Sequence, residues 1–120
     1  MNDFRELIVW QKSIDLVEKV YQMTNSFPKE ETYSLISQIR RSAISIPSNI
    51  AEGYGRKSTP DFIHFLHIAR GSLYEFQTQL EISRRIKYIT ETELKLMFGI
   101  CKEVEKMLNS LIKSLANKNK

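Results

Sequence analysis

The sequence predicts an all-α protein, an antiparallel up-down-up-down four-helix bundle, and three observations carry that reading. Apolar residues recur at alternating steps of three and four over four long stretches. Glycines and prolines, four and three in 120 residues, fall mainly where that periodicity breaks. No stretch alternates apolar and polar residues in the manner of a strand, and the short breaks favour sequential antiparallel packing. The predicted helices cover about 6–26, 31–54, 59–86 and 91–116, in one domain spanning 1–120.

In the first helix, Trp10, Ile14, Val17, Tyr21 and Thr24 form the stripe expected to face the bundle. Asn25-Ser26-Phe27-Pro28 ends it, because a residue before proline avoids the helical region. The second helix carries Ile36, Ile39, Ala43, Ile46 and Ile50 on one face, and Pro47 inside that pattern predicts a bend without a break. Gly53 and Gly55 stop it. Ser58-Thr59-Pro60-Asp61 combines a hydroxyl cap, a first-turn proline and a carboxylate at the positive end of the third helix. Phe62, Leu66, Ala69, Leu73, Phe76 and Leu80 then form its stripe. Thr90-Glu91-Thr92-Glu93 reads as a capping box before the fourth stripe of Met97, Cys101, Val104, Leu108, Leu111 and Leu115. The tail Asn117-Lys118-Asn119-Lys120 is expected to fray.

Apolar residues off these stripes, such as Val9, Leu16, Val20 and Met23 in the first helix and Leu94, Phe98, Met107 and Ile112 in the fourth, exceed what one narrow stripe buries. Such a surplus either widens the core or marks self-association, and the latter is expected.

Composition narrows the classes of function. With 42% hydrophobic and 27% charged residues, the chain is an ordinary globular domain, long enough to bury about two-thirds of its unfolded surface. One cysteine cannot form an internal disulfide. No signal-like N-terminus and no run of 18 apolar residues occurs, so the expectation is a cytoplasmic protein without membrane contact. The net charge of +4 is localised. Arg40, Arg41, Arg56 and Lys57 face Glu52 alone within residues 40–57, and Lys106, Lys113, Lys118 and Lys120 are unopposed after residue 105.

Catalytic and metal readings find little support. Asp61, His64 and His67 share a helical spacing but lack the glutamate of HExxH and any nearby cysteine, so no metal or other cofactor is expected. Cys101 lies on a core stripe and reads as a small apolar filler. Glu30-Glu31 and Glu91/Glu93 sit at helix starts, where negative charge offsets the dipole. Gly53-Tyr54-Gly55-Arg56-Lys57-Ser58 follows a helix rather than a strand and lacks the spacing of a phosphate loop. No enzymatic activity is expected.

The informative segment is 38–57. Serine and asparagine are poor helix formers, yet Gln38, Arg41, Ser45, Ser48, Asn49, Glu52 and Arg56 make a polar stripe opposite the isoleucines. One reading is a structural network of Gln38, Asn49 and Glu52 against Arg70, Ser72 and Gln79, with Glu52 buried and paired to Arg41, Arg56 or Arg70. Another, compatible with it, is a nucleic-acid-binding surface with Arg40, Arg41, Arg56 and Lys57 as phosphate donors.

The ordered motifs Val9-Trp10-Gln11-Lys12, Phe27-Pro28-Lys29-Glu30-Glu31 and Ser37-Gln38-Ile39-Arg40-Arg41-Ser42-Ala43 resemble the bacterial proteins encoded in 23S ribosomal RNA intervening sequences. Ser45-Ile46-Pro47-Ser48-Asn49-Ile50-Ala51-Glu52-Gly53-Tyr54-Gly55-Arg56 is similar to that family's central signature, and Phe65–Glu75 to its third-helix motif. Arg85-Ile86-Lys87 departs from it, where a more apolar segment is usual. The resemblance implies an antiparallel four-helix bundle assembled as a ring-shaped homopentamer, with no settled molecular function. A similar protein, the accessory variability determinant of diversity-generating retroelements, binds nucleic acid and a reverse transcriptase through a basic surface. The expected function is therefore an RNA-associated homo-oligomer. The alternative is an adaptor that binds another protein without touching nucleic acid, with Tyr54 and Tyr74 as exposed anchors.

Overall fold

Helix boundaries follow the local chemistry. The structure, a computed structural model, describes residues 3–118. Four helices result: α1 (Ile8–Thr24), α2 (Leu35–Tyr54), α3 (Thr59–Arg85) and α4 (Glu91–Lys118). Ser58 caps α3 by accepting from the Asp61 amide at 3.2 Å. At α4, Thr90 Oγ1 accepts from the Glu93 amide at 3.1 Å while Glu93 Oε1 accepts from the Thr90 amide at 2.9 Å, the reciprocal capping box. Lys87, at φ 69°, turns the chain out of α3, and the Tyr88 amide closes back on the Ser83 carbonyl at 2.8 Å.

Three boundaries differ from the sequence expectation. Residues Phe4–Glu6 form a separate 3-10 turn, so α1 begins at Ile8 rather than near Glu6. A second 3-10 turn, Lys29–Glu31, precedes α2, which begins at Leu35 rather than Glu31. The reason is local: Ser34 Oγ donates to Glu31 Oε1 at 2.5 Å and Tyr88 Oη to Glu31 Oε2 at 2.7 Å, so Glu31 ties the connection together instead of opening a helix. Asn117 and Lys118 continue α4 rather than fraying, and Asn119 and Lys120 lie outside the described residues. Helix α2 runs unbroken through Pro47, which is buried.

Cross-helix pairs define the topology. Ser42 meets Gln79 and Ser45 meets Ser72, so α2 and α3 run in opposite directions. Arg70 with Asn109 and Tyr74 with Glu105 show the same for α3 and α4. Each helix packs on its sequence neighbour, and α1 closes the ring against α4. The α2–α3 seam is the most extensive, and its closest point is Gly53: a Cβ there would stand 2.7 Å from Phe65 Cβ.

The α2 stripe is buried throughout, as are five of the six α3 positions and the first four of α4. Helix α1 corrects the expectation. Its buried stripe is Val9, Ser13, Leu16, Val20 and Thr24, whereas Trp10, Ile14 and Val17 are half-buried and Tyr21 is exposed. Two short hydroxyls made the inner stripe look polar. Each satisfies itself on the helix backbone, Ser13 on the Trp10 carbonyl at 2.8 Å and Thr24 on the Val20 carbonyl at 2.7 Å, so both enter the core at low cost. The apolar surplus of α1 therefore lies on its outer face.

Candidate nucleic-acid interface

The polar stripe of α2 divides into two sets. Facing α3, Ser42 Oγ donates to Gln79 Oε1 at 2.5 Å, Ser45 Oγ and Ser72 Oγ share a hydrogen at 2.9 Å, and Asn49 Nδ2 donates to the Ser45 carbonyl at 2.8 Å. No buried side-chain nitrogen or oxygen among the described residues lacks a partner. This is a polar network, but three expected members, Gln38, Glu52 and Arg70, are absent from it. Gln38 is exposed, and so is Glu52, which meets Arg56 one turn away at 3.2 Å with 56% of its side chain accessible. The Gly53 contact turns position 52 outward, so the expected burial of Glu52 is wrong and the pair belongs to the surface. Arg70 belongs to the α3–α4 seam, donating to Asn109 Oδ1 at 2.8 Å and lying 2.7 Å from His67 Nδ1.

The four expected phosphate donors do not share one place. From Arg41 to Arg56 is about 22 Å along a helix axis. Arg40 is half-buried and committed to α1: Nε donates to Thr24 Oγ1 at 2.9 Å, a terminal nitrogen to Asn25 Oδ1 at 3.3 Å, and the guanidinium lies 4.3 Å from the Tyr21 ring centre. Its role in the fold is to hold the end of α1 against α2. Arg41 is exposed beside Tyr21, Tyr33 and Ile44. Arg56 lies over the Phe65 ring at 4.6 Å, and Lys57 is exposed in the α2–α3 turn.

The antiparallel register adds what the linear sequence hides. The pairs Arg70–Asn109 and Tyr74–Glu105 bring the C-terminal turns of α4 to the end of the bundle that holds the α2–α3 turn. Residues 3–15, 46–72 and 106–118 make up that half of the molecule. They contain eight basic residues (Arg5, Lys12, Arg56, Lys57, Arg70, Lys106, Lys113, Lys118) against five acidic ones (Asp3, Glu6, Asp15, Glu52, Asp61). In the remaining half, residues 16–45 and 73–105, nine basic residues face nine acidic ones. The excess positive charge of the described chain is therefore confined to one end. The charge of Asp3 is well compensated there, since Arg5 holds its carboxyl down at about 2.

Other candidates for chemistry look inert. Burial pushes the Cys101 thiol up to about 12, which keeps it from being a thiolate. Among the described residues, no group of three or more His, Cys, Asp or Glu side chains is placed to share a metal ion. No helix among them is long and apolar enough to cross a membrane. Tyr54 stacks edge-on against Phe62 with ring centres 6.0 Å apart and is half-buried rather than an exposed anchor. Tyr74 is exposed and donates to Glu105 Oε2, a bond that raises the phenol's pKa.

A family model described as 23S rRNA-intervening sequence protein matches residues 5–110. The chain belongs to that family. It is similar to a Bacteroides thetaiotaomicron protein of unknown function from the S23 ribosomal protein family, whose crystal structure aligns with a TM-score of 0.82 at 31% identity. That alignment covers 88% of this chain and 96% of the other. No curated protein sequence matches the chain. The match places Arg56, Lys57 and Lys106 within the family region and leaves Lys113 and Lys118 beyond it.

Proposed function

We propose that this intervening-sequence protein is a non-enzymatic homo-oligomer that binds the phosphate backbone of RNA through the basic end of its bundle. One observation supports the reading most: the whole charge excess of the described chain lies at the end of the bundle that holds both the α2–α3 turn, with Arg56 and Lys57, and the C-terminal turns of α4. Phosphate contacts from such residues position a protein without reading sequence, and every released counterion makes affinity fall with salt. The apolar outer face of α1 supports self-association, and the resemblance to ring-forming relatives makes a pentamer the expected number. A ring would repeat the basic end in every subunit, so a modest charge per chain suffices.

The test is RNA binding by fluorescence anisotropy over a salt series, with several unrelated single strands. The expected result is similar affinity for all of them and a log–log salt slope of roughly −0.7 for each phosphate contacted. Replacing Arg56, Lys57, Lys113 and Lys118 with alanine should weaken every complex alike and flatten that slope, with melting and mass unchanged. A folded variant that binds as well as the parent removes this surface from the reading. A parent that binds no RNA even at low salt favours the protein-adaptor alternative.

A further inference from the structure

Two exposed apolar features on opposite elements match one another. The first is a groove along the outside of α1 and α2. Trp10, Ile14 and Val17 form one wall, and Ile44, Pro47 and Ala51 the other. Pro47, Ser48 and Ala51, within little more than one turn of α2, give it a shallow floor. At its far end the groove opens beside Tyr33, which is 97% exposed, and Arg41. Among the described residues the Arg41 guanidinium has no side-chain partner.

The second feature is a ridge on the solvent side of α3. Ile68 and Ile82 are 38% and 44% exposed, two heptads' length apart, with exposed Glu75 midway between them. Gly71 belongs to the same ridge. A mid-helix glycine forfeits helix stability relative to alanine, and here no neighbour requires it, since a Cβ would meet nothing within 4 Å. Gly99 of α4 is open too, with exposed Leu96 beside it among Lys95, Lys102 and Glu103.

The spacings correspond. Glu75 lies seven residues from Ile68, and Arg41 lies seven from Ser48 in the groove floor. With the ridge antiparallel to α2, setting Glu75 against Arg41 brings Ile68 over Pro47 and Ser48 and Ile82 beside Tyr33. Gly71 then falls where the two backbones come closest. Opposite charges at the centre of an apolar contact set its register.

Building on the proposed self-association, we infer that the α1–α2 groove of one copy receives the α3 ridge of a second copy, centred on Arg41 and Glu75. The two surfaces are different patches, so the contact is head-to-tail, the kind from which a ring is built, instead of a two-fold dimer. The groove and the ridge both run from the middle of the bundle into the basic half, and Arg56, Lys57, Lys113 and Lys118 lie outside both patches.

The test is charge reversal followed by light scattering. Arg41→Glu and Glu75→Arg should each reduce the assembly to the 14.1 kDa chain, and the double variant should restore it. Both residues are exposed, and among the described residues neither has a side-chain partner, so helical content by circular dichroism should be unchanged and a mass change cannot be ascribed to unfolding. In a mixture of the two single variants every groove finds a complementary ridge, either Arg41 with Glu75 or the reversed pair, so mixing should restore assemblies larger than the single chain. Parent protein that is already monomeric at micromolar concentration defeats self-association itself. An oligomeric parent whose mass neither reversal alters overturns this interface alone. Dissociation by Arg41→Glu without rescue in the double variant overturns the pairing with Glu75.

Discussion

The α2–α3 seam and the α1–α4 seam are built from similar helices by different means. Between α2 and α3, Gly53 lets the backbones close on Phe62 and Phe65, and buried Ala43, Ala69 and Ser42 keep the seam narrow. Its polar atoms are paired across the gap, through Gln79 and Ser72. Between α1 and α4, Lys12, Asp15, Glu18, Lys19 and Glu103 line an open cleft, bridged by the Lys12–Glu103 ion pair at 3.4 Å. Small residues and paired hydrogen bonds lock one side of the ring. Long charged side chains leave the other side hydrated, where their interactions are weak. The same chain thus carries a closely packed side and a more open one.

Three substitutions would break or sharpen that contrast. Gly53→Val should have the largest effect, a loss of about 3 kcal/mol, because its branches must displace Phe62 and Phe65 or part the helices. A urea midpoint equal to the parent's would show that the seam is not close-packed. Gln79→Ala should cost about 1–3 kcal/mol, since it removes the partner of buried Ser42 and leaves a gap between helices. A neutral result by thermal melting would mean that the network adds nothing to packing. Glu103→Ala in the open seam should shift stability by less than about 0.5 kcal/mol, because both partners are substantially exposed. A drop as large as that of Gln79→Ala would abolish the distinction between the two sides.

The fold was largely legible in advance because periodicity and caps are local. The stripes of α2, α3 and α4, the Ser58 cap and the Thr90–Glu93 box depend on residues within one or two turns of each other. The errors arose where a residue's fate depended on something distant. Val9, Leu16 and Val20 took the interior of α1 from Trp10, Val17 and Tyr21, although Ser13 interrupts their stripe. Neither stripe is favoured by spacing; the choice rests on which shape fits against α2 and α4. Glu52 was expected inside because it stands among arginines in sequence, but it faces solvent because Gly53 beside it faces Phe65.

The candidate site shows the same division. The linear sequence alone determined four helices, their caps, a surplus of apolar residues and an excess of positive charge, since each is a property of composition or of short-range spacing. It grouped Arg40 and Arg41 with Arg56 and Lys57 because they share one segment. Only the tertiary structure decided that Arg40 is taken up by Thr24, Asn25 and Tyr21, and that Arg56 and Lys57 have the lysines of α4 for company. The physical reason is the antiparallel register: a helix separates residues by 1.5 Å per position, whereas packing brings together ends that are some fifty residues apart.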